Sequence, residues 1–342
     1  MPRLANRLLG WNWSITAVPK PKTDIDLRSD ASALVDLETI PIETRAGYCR
    51  SLTSSELVSN RITNAAVTYL ILDFLAVFMM KDPYFVLGPD IPYPLPVYLT
   101  GVPPMLLHAY RLLFSLLGIL FAIFGVFNLN DLAQYYLMSY IIPIRGELWQ
   151  HPSTMGSFTQ ILDRGLAGWW GAWWHQTFRA QFLAPASWLV RNGYIQRGTI
   201  NGTLTTLFLT FLGSGFLHMF GSVSSVPQTK VWRAPVFFLL QVLGIAGQHA
   251  LAVGARRAWP SVPRWLARTC NLVSTLAWMY CTAHFFTDDM AASGIWLLEP
   301  VPFSFLRALG FGHPSDSAWR WDQYHRPTWH SAEQWWRSGM AL

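Results

Sequence analysis

Leu116-Leu117-Gly118-Ile119-Leu120-Phe121 lies at the centre of an apolar stretch that runs from 106 to 127. An α-helix rises 1.5 Å per residue, so about 20 such residues cross the hydrocarbon core of a bilayer. A run of this length reads as a membrane-spanning helix, and it decides how its neighbours are read. Similar stretches recur at about 64–80, 204–220, 232–253, 266–286 and 293–309. Those of about 17 residues are at the short limit for a span. The last is the weakest, because Glu299, Pro300 and Pro302 interrupt it. The expected fold is all-α and integral to the membrane: a polytopic helical bundle of six crossings with interfacial or re-entrant helices. A single domain is expected, with a cytosolic N-terminal segment over 1–62, membrane helices over 63–310 and a tail over 311–342.

Composition agrees with the pattern. Charged residues make up 13% of the 342, against about 25% in soluble domains, and 18 residues are Trp. So few charges cannot cover a water-exposed surface of this size, and lipid must meet the apolar side chains. The formal charge is +6. Its basic residues are scattered between apolar stretches rather than gathered in one run or face, which excludes a nucleic-acid partner and suits loops beside anionic headgroups. Cys49, Cys270 and Cys281 have neither disulfide nor zinc spacing and read as reduced packing residues. Met1–Gly10 lacks the apolar core and cleavage pattern of a signal peptide, so the first membrane helix is expected to target the chain. The endoplasmic reticulum is the expected membrane.

Loop charges set an orientation. Arg45, Arg50 and Arg61 precede the first span; Arg145, Arg164, Arg179, Arg191 and Arg197 fall in 145–203; Arg256, Arg257, Arg264 and Arg268 fall in 254–268. The alternate loops are poorer in Lys and Arg, as expected for six crossings with both termini in the cytosol. The sequons at Asn12 and Asn201 then fall on the cytosolic side and stay unused. Between the second and third spans, 128–203 is apolar but broken by charges, Gly and Pro. Its tryptophans suit short interfacial or re-entrant helices.

Two histidines stand out. His218 lies in Leu212-Gly213-Ser214-Gly215-Phe216-Leu217-His218, with Ser214 four residues earlier on the same helical face. An ionisable residue at membrane depth is a functional candidate. Alternatively, the small residues pack a neighbouring helix and the imidazole bonds a carbonyl. His175 closes Trp169-Trp170-Gly171-Ala172-Trp173-Trp174-His175, with Arg179 one turn on. An aromatic interfacial anchor would explain those tryptophans without any chemistry.

Together these segments resemble the wax-synthase-like branch of the membrane-bound O-acyltransferase (MBOAT) family. That branch carries a Phe-Trp-Gly-Arg-Arg-Trp-His-Gln-type motif, matched here by Trp169 to Gln176, and a later Ser-Gly-x-x-His segment, matched by Ser214 to His218. Leu9-Gly10-Trp11-Asn12-Trp13 is similar to the Gly-Trp-x-Trp segment of the group. Ala172 and Trp173 replace the two arginines of the first motif. Relatives usually carry further membrane helices before Gly-Trp-x-Trp, whereas this chain begins almost at it, as a compact member or one with a late start. The resemblance implies a membrane enzyme, with the histidine at 218 catalytic and the one at 175 in support. It also implies acetylation of hydroxyls on terpenoid or meroterpenoid natural products, the common activity of fungal members.

Acyl transfer from a thioester to an alcohol needs a base for the hydroxyl proton and donors for the oxyanion. His218, an imidazole held away from bulk water, is the expected base. His175 is expected to position the reactants or stabilise the oxyanion. No covalent acyl-enzyme is needed. Acetyl-CoA or another acyl-CoA is the expected co-substrate, with no bound cofactor and no metal. Arg179, Trp174, Gln176 and Ser214 are its candidate contacts, with Arg191 and Arg197 as further phosphate partners. A small lipophilic alcohol and membrane lipid complete the expected partners. A long-chain wax-ester synthase using fatty acyl-CoA is the alternative within the class. Outside it stand a membrane transporter and a prenyl-diphosphate enzyme, the latter on Asn130-Asp131 and Asp288-Asp289. His284 and Asp288 match the His-x-x-x-Asp of soluble CoA-dependent enzymes, a two-residue pattern read as coincidence.

Overall fold

The computed structural model describes residues 17–19, 37–321 and 328–341. The Leu9–Trp13 segment, the Asn12 sequon and His325 lie outside the described residues. The helices are α1 (Ser54–Met79), α2 (Pro83–Leu87), α3 (Pro104–Tyr136), α4 (Thr159–Gly168), α5 (Arg179–Arg191), α6 (Ile200–Val223), α7 (Arg233–Ala258), α8 (Arg264–Thr282), α9 (His284–Ala292) and α10 (Phe305–Ala308). Four of them, α1, α3, α6 and α7, are long and apolar enough to cross a membrane. Large apolar side chains on these helices, among them Leu70, Leu113, Phe208 and Leu243, are exposed, as expected of surfaces solvated by lipid. The protein is an all-α membrane protein, with one addition: near the end of the chain β1 (Thr328–His330) pairs antiparallel with β2 (Gly339–Ala341).

The predicted sixth crossing does not form. Residues 293–309 instead make a 3-10 turn at Ile295–Leu297, an irregular stretch and the four-residue α10. Gly294 turns the chain with φ 73°, and Pro300 and Pro302 have no amide hydrogen to continue a helix. Glu299 anchors the stretch. It accepts from Arg307 at 3.0 and 3.1 Å and from Arg320 at 2.8 and 3.0 Å, and all three residues are buried. A carboxylate shared by two guanidinium groups holds this segment to the tail as a packed loop. The six-crossing count, and the common side for both termini that it implied, lose this member. The fifth stretch also ends sooner, since α8 stops at Thr282 and His284 opens a new helix.

The chain divides into two compact units. The first comprises 1–63, 127–211 and 241–277, and the second 64–126, 212–240 and 278–342. In the first unit a buried polar cluster gathers around Arg61. Arg61 Nε donates to Asp131 at 2.9 Å, and its Nη2 to the carbonyls of His151 and Pro152 at 2.8 and 3.1 Å. His151 Nε2 in turn meets the Arg145 carbonyl at 2.7 Å. In the second unit Leu75, Met79, Tyr84, Phe85 and Ala291 form an apolar core, flanked by Phe114, Phe121 and Trp296. α2 enters that core because Asp82 caps it, accepting from Tyr84 N at 3.1 Å, with Pro83 at the first helical position.

Candidate active site

In the first unit the tryptophan motif is a tight turn between α4 and α5. Trp169–Trp173 forms a π-type turn closed by Trp174 N to Trp169 O at 2.8 Å. The chain reaches it through Gly165, at φ 58° and ψ −135°, a backbone state that favours glycine. Gln248 of α7 fixes that bend. Its Oε1 accepts from Leu166 N at 2.7 Å, while its Nε2 donates to Ser274 Oγ at 2.5 Å. The indoles then pack on one another: Trp169 and Trp173 lie 4.6 Å apart, and Trp169 and Trp174 stack at 6.3 Å. Trp170 donates to Gln241 Oε1 at 3.3 Å.

Gln176 and Arg179 brace this turn from below. Gln176 Nε2 donates to the carbonyls of Trp170 and Trp174 at 3.0 and 2.6 Å. Arg179 Nη1 donates to the Gly171 carbonyl at 2.6 Å and to Gln176 Oε1 at 2.5 Å. A Cβ placed on Gly171 would lie 3.9 Å from Arg179 Nη1 and 4.0 Å from Arg164 Nη2, so two guanidinium groups meet over that residue. Among the described residues, neither has a carboxylate in salt-bridge range. The half-buried His175 ring sits 5.8 Å from Phe127, edge to face, and 5.4 Å from Trp174. The fold thus gathers His175, Trp174, Gln176 and Arg179 around one turn. Arg191 ends α5 and Arg197 lies in the loop beyond, both exposed.

In the second unit the small residues of α6 serve helix packing. A Cβ on Gly215 would come within 2.8 Å of Pro235 Cα, so only glycine lets α7 approach this closely. That contact brings Phe238 flat against His218, with centroids 4.9 Å apart and planes 10° apart, while Phe286 of α9 meets the ring edge-on at 4.9 Å. The ring lies on a helix long and apolar enough to cross a membrane. His218 is nonetheless exposed, as are Phe216 and Leu217 beside it, while Gly215, at the closest approach to α7, is buried. Neither ring nitrogen has a hydrogen-bond partner among the described residues. Ser214 is half-buried on the same helix.

One turn beyond His218, the sequence reading missed a polar pair. Ser222 Oγ makes a short hydrogen bond to Asp289 Oδ2 and lies 3.3 Å from the His218 carbonyl. Asp289 is buried, and its Oδ1 has no partner among the described residues. The neighbouring Asp288 accepts from Tyr84 OH at 2.8 Å. The Asp288-Asp289 pair was the available signal, but adjacency alone says nothing of the hydroxyls each carboxylate meets.

Residues 151–240, which contain both the tryptophan motif and His218, match the membrane bound O-acyl transferase family. This is the family that the two histidine motifs resemble. Over 167 residues the chain is 32% identical to the acetyltransferase aurG of Calcarisporium arbuscula, covering 47% of this chain and 40% of that one. Over 160 residues it is 26% identical to the acetyltransferase pyr8 of Aspergillus fumigatus, covering 45% and 37%. The chain therefore spans about two fifths of the length of these curated relatives. No solved structure matches it at a significant level.

Proposed function

We propose that the protein is an O-acyltransferase that moves an acetyl group from acetyl-CoA to a hydroxyl of a lipophilic, terpenoid-type alcohol at the endoplasmic reticulum membrane. The observation that carries this reading is His218. Its imidazole lies within the matched family segment, is held flat by Phe238, and has both ring nitrogens unengaged among the described residues. The alcohol oxygen attacks the thioester carbonyl as His218 takes its proton. The tetrahedral intermediate then collapses, the carbon–sulfur bond breaks, and the departing thiolate recovers the proton from the imidazolium. His175 serves as a positioning or oxyanion-stabilising group. Arg179 and Arg164, which meet over Gly171 with no carboxylate in range among the described residues, suit a phosphate of the CoA. Trp174 and Gln176 shape that turn, and Ser214 lies on the same helix as the base.

The acetyl donor is favoured because both curated relatives are named acetyltransferases. Each carboxylate that a prenyl-diphosphate enzyme would turn to magnesium already meets a group of the protein: Asp131 meets Arg61, Asp288 meets Tyr84, and one oxygen of Asp289 meets Ser222. Microsomes expressing the chain, given acetyl-CoA or a long-chain acyl-CoA with a panel of terpenoid alcohols, test the reading. Acetyl ester is expected, and His218→Ala should lower its rate by about 10²–10⁴-fold, the range for loss of a general base. Equal turnover by His218→Ala would remove the assigned chemistry. Ester formed only from the long-chain donor would move the protein to wax-type synthesis.

A further inference from the structure

Beyond the end of α6 lies a cavity of about 510 Å³ whose walls come from the α6–α7 loop and from the hairpin β1–β2. Sites for small organic ligands are typically about 300–1,000 Å³. The hairpin is seated closely: a Cβ on Gly339 would fall 2.4 Å from the Ser224 carbonyl oxygen, so its backbone lies directly on the loop. Ala332 N to Ser338 Oγ at 3.1 Å holds the hairpin's connection in shape. On the inner side is Ser222, the partner of buried Asp289. Ser222 follows His218 by four residues, one helical turn, about 6 Å along the axis.

The lining defines the kind of ligand. Thr229 offers a buried hydroxyl with no partner among the described residues, and Gln334 adds an amide. Trp336 presents a flat apolar face. The ionisable groups of the lining are Glu333, Arg337 and His330, of which Glu333 and Arg337 offset one another. A coenzyme bearing several phosphates would call for a positive lining, which this cavity does not have. A neutral molecule with a flat or ring-like body and more than one oxygen fits it.

We propose that this cavity seats the acceptor alcohol, with its oxygenated end on Thr229 and Ser222 and its ring body on Trp336, so that the C-terminal hairpin selects which acceptors are used. This rests on the acetyl-transfer reading for its catalytic meaning, though not for its binding. The first test is independent of turnover. Thr229→Cys is placed in the full chain with Cys49, Cys270 and Cys281 replaced by Ser, and labelling by N-ethylmaleimide in microsomes is followed by peptide mass spectrometry. The terpenoid diol sclareol is expected to slow labelling at least fivefold, farnesol less, and acetyl-CoA not at all. Protection by acetyl-CoA equal to that by sclareol, or by neither terpenoid, overturns the inference.

The second test is kinetic. Thr229→Val and Trp336→Leu should each raise KM for the alcohol about fivefold or more, the effect of losing roughly one contact, with KM for acetyl-CoA unchanged. Normal alcohol KM in both variants sinks the cavity inference while leaving acetyl transfer intact. Protection by sclareol without any ester formed by the wild-type chain leaves the cavity standing and sinks acetyl transfer.

Discussion

Replacing Asp82 by Ala should destabilise the second unit far more than a typical surface change. The Asp82 carboxylate is fully buried and takes two parallel hydrogen bonds from Arg111, Nε to Oδ2 and Nη2 to Oδ1, both at 2.8 Å. It also caps α2 through Tyr84 N at 3.1 Å. Removing it leaves a largely buried guanidinium uncompensated, which costs about 3–5 kcal/mol. The lost helix cap adds about 1 kcal/mol. At roughly 2 °C per kcal/mol for a chain of this size, the midpoint of heat-induced loss should fall by about 8–12 °C. The measurement is the monodisperse fraction of detergent-solubilised protein after heating, followed by size-exclusion chromatography. Asp82→Ala/Arg111→Met removes the stranded charge as well and should regain most of the loss. A fall below about 3 °C for the single change, or a double variant no better than the single, would refute the reasoning that the unpaired charge dominates.

Gly165→Ala puts a Cβ 2.2 Å from Gln248 Oε1 at a backbone angle of 58°, so the amide that holds Leu166 N must move away. Strain and an unmet buried amide together suggest about 3 kcal/mol, read as a midpoint lower by about 6 °C. Gly254→Ala, where a Cβ meets nothing within 4 Å, should leave the midpoint unchanged or slightly raised. A matching fall in both variants would show that the Gln248 contact is not the cause. Desolvation, and then the Glu43 charge, push the Cys49 thiol above its usual range. The thiolate is the reactive form, so in Cys270→Ser/Cys281→Ser protein maleimide labelling at pH 7.5 should run slower than that of a free thiol and climb steeply above pH 9. Labelling of Cys49 at the free-thiol rate would contradict that assignment.

The long apolar helices were legible because lipid-facing helices are apolar on every side, and that signal survives without any tertiary information. The stretches at 106–127 and 204–220 fall inside α3 and α6, and that at 232–253 matches α7 from its second residue on, with α7 continuing to Ala258. The stretch at 293–309 misled because its average is apolar while its organising residue is Glu299. One of the two arginines that neutralise it, Arg320, lies 21 residues away. No local pattern announces that pairing. The site was legible in part for the same reason. Spacing placed Gln176 and Arg179 beside the tryptophan turn, since neighbours in sequence must be neighbours in space. It could not reveal that both spend donors on backbone carbonyls of that turn. Nor could it reveal that Gly215 sets the close approach of α7 that lays Phe238 on His218, or that Asp289 comes to Ser222 from 67 residues away.

Asp73 sits in the last third of α1 and is 1% exposed, yet its carboxylate accepts from Leu306 N at 3.0 Å, 233 residues further along the chain. Close by, Tyr69 OH donates to the Phe303 carbonyl. At a synthesis rate of about 5–20 residues per second, α1 must wait roughly 10–50 s after emerging for the segment that covers this acid. Over that interval the ribosome-bound chain carries an exposed aspartate in its first apolar helix, at an insertion cost of about 2.5–3.5 kcal/mol. A message cut short before Phe303 would therefore yield a chain that lacks both the amide that meets Asp73 and the carbonyl that meets Tyr69.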